Sequence, residues 1–133
     1  MKMNIVLAIA LGLILVPVSR ASAADRLGAS EQEMERLKQL NQSKTVVSQS
    51  DDELKKMMVG KWTTGRHEYI YNANGTWQML PLDISTTHGT WRIQNHQLIE
   101  DMSGARTFIE AKPKQLVLRN EQGPYPYRYV KIQ

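Results

Sequence analysis

The chain has 133 residues, 17 basic against 13 acidic side chains, and no cysteine. That length holds one domain of ordinary size. Without thiols the chain forms no disulfides and no lipid-modified cysteine, so its stability has to come from apolar burial.

Lys2, the apolar run of 14 residues from Ile5 to Val18, and then Ala21-Ser22-Ala23 read as an export signal. Residues 1–23 are the signal peptide, with cleavage expected after Ala23. A spanning helix needs roughly 20 apolar residues, and this run falls short, so no stable membrane anchor is expected after cleavage. The expected location is periplasmic or secreted.

Residues 24–49 read as a short helix and a polar linker. Ser30 and Glu33 have capping-box spacing. Met34, Leu37 and Leu40 then recur at helical intervals, which predicts a helix from about Glu31 to Leu40. The apolar stripe is narrow, so loose docking or a partner contact is expected of it, and residues 50–133 are expected to fold without residues 24–48. A second capping box, Ser50 to Glu53, opens a helix carrying Leu54, Met57 and Met58. Its place just before the first strand predicts a plug for one end of a barrel.

From Lys61 the pattern changes to strands. Every Trp in the chain sits in a Gly-x-Trp tripeptide: Gly60-Lys61-Trp62, Gly75-Thr76-Trp77 and Gly89-Thr90-Trp91. The regular spacing fits one strand plus one connection per repeat. The three indoles are therefore expected to meet in one core. A buried Trp removes about 150–250 Å² from water, worth roughly 4–6 kcal/mol at most. The strands run from Lys61 to Tyr71, Thr76 to Leu80, Thr90 to Gln94, Gln97 to Asp101, Ala105 to Ala111, Gln115 to Arg119 and Tyr125 to Ile132. Asn72 to Gly75 and Asn95-His96 read as hairpin turns, and Asp83 to His88 as a polar connection. The expected fold is all-β with short N-terminal helices. It is a small antiparallel meander of about seven strands, forming a barrel or a strongly curved sheet.

Leu54 before Val59-Gly60-Lys61-Trp62, Tyr69 to Trp77 with its Asn-Gly-Thr turn, and Gly89 to Ile93 before Leu98-Ile99 together resemble the lipocalin-like domain of small exported bacterial proteins. The resemblance covers about residues 53–132. It implies a leading helix, Gly-x-Trp strands and a barrel, and it is almost silent on activity.

Candidate chemistry is sparse. His67, His88 and His96 show no metal-ligand spacing. Asp83, Ser85 and His88 crowd one loop, which lacks the rigidity that a catalytic triad requires. Glu100 and Asp101 are neighbours on a strand and face opposite sides. The methionines are scattered core fillers. No cofactor or metal is expected, and no enzyme.

Charge divides along the chain. Residues 24–53 carry 4 basic and 7 acidic groups, a net of −3; residues 54–133 carry 11 and 6, a net of +5. That excess is modest for nucleic acid, and export removes the chain from it. The candidate contact surface is the last strand and its basic neighbours: Tyr125, Tyr127 and Tyr129 alternate to one face, with Arg106, Arg119 and Arg128 nearby. The expected arrangement is Tyr inward, with Arg128 outward beside Arg106 and Arg119. The function that follows is an exported, non-enzymatic binding or accessory module meeting a protein or cell-envelope component. The alternative is a carrier of a small apolar or amphipathic ligand, as the lipocalin-like resemblance implies.

Overall fold

The computed structural model describes residues 28–80 and 87–133. The export signal, and Asp83 and Ser85 of the crowded loop, lie outside the described residues. Two helices, α1 (Glu31–Gln42) and α2 (Asp51–Met58), precede eight strands. These are β1 (Gly60–Thr63), β2 (Glu68–Tyr71), β3 (Thr76–Leu80), β4 (Thr87–Gln94), β5 (Gln97–Glu100), β6 (Gly104–Lys112), β7 (Gln115–Leu118) and β8 (Tyr127–Lys131). Each strand pairs antiparallel with the next, and β1 with β8 through Trp62 opposite Lys131 and Thr63 opposite Val130. The sheet is a closed barrel.

Seven expected strands become eight because Lys61 to Tyr71 is not one strand. Gly65, at φ +92°, turns the chain back. The Thr63 hydroxyl accepts from Gly65 N at 3.0 Å and donates to the His67 carbonyl at 3.1 Å. A side chain thus does the local work of a turn, and Trp62 ends up opposite Tyr69 on the adjacent strand.

The Gly-x-Trp repeat has a direct physical explanation. In the β3–β4 ladder Thr76 faces Thr90 and Trp77 faces Gly89, so the two Gly-Thr-Trp tripeptides run antiparallel, each indole opposite the other's glycine. The Trp77 indole N–H donates to the Thr90 carbonyl at 3.1 Å, and the Trp91 indole N–H to the Thr76 carbonyl at 3.1 Å. Each Trp therefore fastens the middle residue of the other tripeptide. Gly89 is required there: a Cβ would lie 2.2 Å from Asp101 Oδ1, which accepts from Thr90 N at 3.1 Å. Trp62, Trp77 and Trp91 are 0, 4 and 5 % exposed, so the repeat builds the core that its spacing predicts. Buried indole N–H groups need acceptors, and backbone carbonyls supply all three.

The third indole joins the barrel to its plug. Trp62 Nε1 donates to the Met58 carbonyl at 2.8 Å, one of the carbonyls left open at the end of α2. Leu54 and Met58 are fully buried against the barrel core, with Met57 packed beside them. At the helix start the capping box forms as its spacing predicts. Asp51 also reaches across: its two carboxylate oxygens accept from Asn95 N and His96 N, each at 2.9 Å. Asn95 and His96 have φ of 54° and 61°, the left-handed pair of a two-residue hairpin. One carboxylate thus serves both a helix N-terminus and the turn that α2 covers.

α1 lies on the outer wall. Leu37, 2 % exposed, and Leu40 cover Ile109 of β6 and Val117 of β7. The Arg36 guanidinium bridges Glu33 at 2.6 Å and Glu110 at 2.8 Å. Asn41 bonds both ways to the β7–β8 connection, its amide donating to the Asn120 and Gly123 carbonyls and its Oδ1 accepting from Asn120 N. After α1 the chain runs along β6, where Val47 N donates to the Phe108 carbonyl at 3.2 Å. The narrow stripe suggests loose docking; the geometry is that of an integral outer layer, because Ile109 and Val117 are apolar residues on a face that would otherwise meet water.

Candidate functional site at the barrel end opposite the plug

β1 rises from α2, so the β1–β2, β5–β6 and β7–β8 turns stand at the opposite end. Tyr69, Tyr71, Met79, Glu100, Arg106 and Tyr127 lie on inward-facing ladder positions: Tyr69 pairs with Trp62, Glu100 with Trp91, Arg106 with Leu98 and Tyr127 with Leu118. Burial falls along this wall. Tyr71 and Tyr129 are fully buried, whereas Tyr69, Met79, Arg106 and Tyr127 are half-buried.

On this wall is a buried carboxylate, Glu100, 5 % exposed. The Tyr71 hydroxyl donates to Glu100 Oε2 at 2.5 Å and the Ser103 hydroxyl to Oε1 at 2.9 Å. Both oxygens are thereby satisfied, as a buried charge requires. The rings of Tyr69, Tyr71 and Tyr129 cluster around this pair at centroid distances of 5.7 to 6.5 Å. Burial, then the neighbouring Tyr129 and Glu100, push the Tyr71 phenol well above its ordinary range, and Tyr129 is raised by burial and by Glu100. These phenols stay protonated, and that of Tyr71 donates to the carboxylate.

Tyr71→Phe isolates one of the two donors. It leaves Glu100 buried with Ser103 alone and is expected to cost about 1–3 kcal/mol, read by urea denaturation. A loss below a few tenths of a kcal/mol would mean that water takes over the phenol's place.

Arg106 lies on β6 opposite Leu98, two residues beyond Gly104, which pairs with Glu100. Its guanidinium carbon lies 4.1 Å from the Tyr127 ring centroid, in cation–π range. Among the described residues no carboxylate approaches it within 4.0 Å.

The basic face expected from the sequence does not assemble. Arg106 points inward, two residues before Phe108 on the same face. Arg119 serves the outer layer, its Nη2 donating to the Ser43 and Thr45 carbonyls at 2.9 and 2.6 Å. Arg128 faces outward from β8 as expected, with its Nε bonded to Gln115 Oε1 at 2.9 Å. Arg119 Nε and Arg128 Nη1 are buried and find no partner among the described residues. The tyrosine stripe is two residues long rather than three. Tyr127 and Tyr129 face inward on β8, but Tyr125 precedes the strand, in a connection where Pro124 and Pro126 offer no ladder N–H and Asn120 holds its carbonyl. The histidines do not converge: His67 edges Tyr69 beside the β1–β2 turn, His88 is exposed on β4, and His96 sits under α2.

Sequence reasoning passed over Glu100 and Arg106 as inward residues, although the signal was present. Glu100 alternates with Leu98, and Arg106 with Phe108, so each shares a face with a core residue. Compared with family models, curated proteins and solved structures, the chain has no match.

Proposed function

We propose that this chain is an exported, non-enzymatic binding module of the lipocalin-like kind, and that it meets a protein or cell-envelope component through the barrel end opposite α2. The observation that carries this is Arg106: a half-buried guanidinium inside the wall, held on Tyr127, with no acid within 4.0 Å among the described residues. Folded proteins seldom keep a partly desolvated charge unpaired, and an arginine on an aromatic ring is a favoured contact group. The outer arginines are weaker candidates, since Arg119 and Arg128 already hold parts of the protein itself.

The carrier reading needs a deep apolar pocket. Against it, the inward side chains of Trp62, Leu98, Phe108, Leu116 and Leu118 are at most 1 % exposed. They fill the barrel interior, as short strands in a small barrel do.

Capture from envelope extract with the wild type, Arg106→Glu and Arg92→Glu tests the surface. Arg92 is exposed and outward-facing on β4. The expected result is partners lost with Arg106→Glu and kept with Arg92→Glu, both variants melting as the wild type does. An identical set of partners from all three proteins would remove this barrel end from consideration.

A further inference from the structure

We propose that Asn74 is a site of spontaneous covalent modification: the Gly75 backbone nitrogen attacks its side-chain amide, and the succinimide so formed opens to aspartate or isoaspartate. Three observations bear on the chemistry in the β2–β3 turn, and a fourth on what it does to the barrel.

The first is access to the nucleophile. Asn74 is exposed, and the residue after it is a glycine at φ +90°. No Cβ stands between the Gly75 nitrogen and the Asn74 side chain. Asn41, Asn72, Asn95 and Asn120 are each followed by a residue that carries one. Asn41 is in addition buried, with its amide and carbonyl held by the β7–β8 connection.

The second is the electrophile. Asn74 Oδ1 accepts from the Thr76 backbone N–H at 3.1 Å and from the Thr76 hydroxyl at 2.7 Å. A side chain bonded two residues ahead of itself folds back over the intervening peptide, which brings its Cγ toward the Gly75 nitrogen. Both donors point at the oxygen that gains charge when that nitrogen attacks, the arrangement that stabilises an oxyanion. Asn72 Nδ2 donates to the Thr76 hydroxyl at 3.1 Å, so the hydroxyl directs its own proton at Asn74 and is polarised in doing so.

The third is the restraint that sets the rate. Gly75 N donates to the Asn72 carbonyl at 3.0 Å, and that bond has to open before the nitrogen can turn to Cγ. Local opening of an exposed turn takes far less free energy than global unfolding, so the turn slows the reaction without forbidding it. In the reaction the Gly75 N–Cγ bond forms, the Cγ–Nδ2 bond breaks, and the Gly75 amide proton leaves on Nδ2 as ammonia. Water then adds to one of the two ring carbonyls. Opening at one gives aspartate; opening at the other gives isoaspartate, in which the main chain runs through Cβ. No oxidant or reductant takes part.

The consequence reaches the core. Trp91 N donates to the Gly75 carbonyl at 2.8 Å, and the Trp91 indole N–H to the Asn72 and Thr76 carbonyls at 3.0 and 3.1 Å. Isoaspartate at residue 74 inserts a backbone atom between the two carbonyls that hold the indole. The latch between β3 and β4 therefore loosens as the turn converts.

Storage of the purified full chain in warm, mildly alkaline buffer, where the Gly75 amide proton is more easily removed, tests this by peptide mapping that separates aspartate from isoaspartate. We expect both products at residue 74, with Asn41, Asn72, Asn95 and Asn120 intact, and a melting temperature that falls in step with conversion. Gly75→Ala should slow conversion about tenfold, since the added Cβ crowds the nitrogen and disfavours φ +90°; within 4 Å that Cβ meets the Trp91 carbonyl alone, at 3.5 Å. Should the strain unfold the turn, Asn74→Gln serves as the second variant. Its longer side chain closes a larger ring, and it should neither convert nor lose melting temperature on storage. If residue 74 stays asparagine in the folded chain while it converts in urea, the turn guards the amide and the proposal falls. Conversion spread evenly over the asparagines would overturn it as well. Stored wild type that converts and yet melts unchanged, or that loses no more than stored Asn74→Gln, would strike the effect on the latch.

Discussion

Trp77→Ala is expected to lower the free energy of unfolding by about 3–5 kcal/mol. Three losses combine. The indole is 4 % exposed, so its removal leaves a cavity between β3 and β4 that close-packed neighbours cannot fill. The Thr90 carbonyl and Asp101 Oδ1 lose the N–H that lies 3.1 and 3.3 Å from them. Thr90 is also the residue whose neighbour, Trp91, fastens Thr76 in return, so the reciprocal latch opens on one side and the other is left to hold the ladder. Set against a typical net stability of about 5–15 kcal/mol, the variant stands near its folding threshold. Urea denaturation followed by the fluorescence of the two remaining Trp measures it. Trp77→Phe, which keeps most of the apolar area and drops the N–H, separates burial from hydrogen bonding and should cost clearly less. A loss under about 1 kcal/mol for the alanine variant would show that the indole is not part of a cooperative core.

The latch also marks how far the sequence could be read. Three tripeptides at regular spacing place the three indoles on β1, β3 and β4, and alternation along the strands turns them to one face. That is local information, and it suffices for the barrel class and for the helical plug, because Leu54, Met58 and Trp62 lie within nine residues of one another. The strand count was one short because Thr63 to His67 carries strand-forming residues on both sides of a single glycine. Its turn depends on a side-chain hydroxyl bonding two backbone groups, which composition does not display.

The directions of the arginines were misread for a different reason. Alternation says which residues share a face and leaves open which face is inward, and charge biases the reader outward. Arg106 breaks that bias. It lies inward because Leu98 opposite it and Phe108 two residues on are core, and the half-buried side chain ends on the Tyr127 ring. Arg119 was unreadable altogether. Its partners, the Ser43 and Thr45 carbonyls, are more than seventy residues away in the chain, and nothing in a linker of Ser, Lys and Thr announces that an arginine will close over it.

The same long-range contacts make α1 the second large effect. Leu37→Ala is expected to cost about 2–4 kcal/mol, a core-like value for a residue on the outside of a barrel. Leu37 is 2 % exposed, and the two residues beneath it, Ile109 and Val117, are 3 and 0 % exposed; removing its side chain uncovers all three positions at once. Because Leu37 and Val117 touch, the Leu37→Ala and Val117→Ala losses should not add, and a double-mutant cycle should return a coupling of about 0.5–3 kcal/mol. Strict additivity would mean that α1 rests on the wall without packing into it. Acid should loosen the same layer. Glu33 is held below its ordinary 4.5 by its hydrogen bond from Arg36. At Glu110 burial opposes ionisation, but hydrogen bonds from Arg36 and Gln115 outweigh it and its pKa is also lowered. Groups depressed in the folded state stabilise it fully above their unfolded value and lose that contribution as pH falls through the folded one. Docking of α1 is therefore whole at neutral pH and weakens below about 4.5. Amide exchange resolved to residues 31–42 at pH 7 and pH 3 reads this directly. Protection of α1 that falls no faster than that of β6 would assign its hold to Leu37 alone and give Arg36 no part in it.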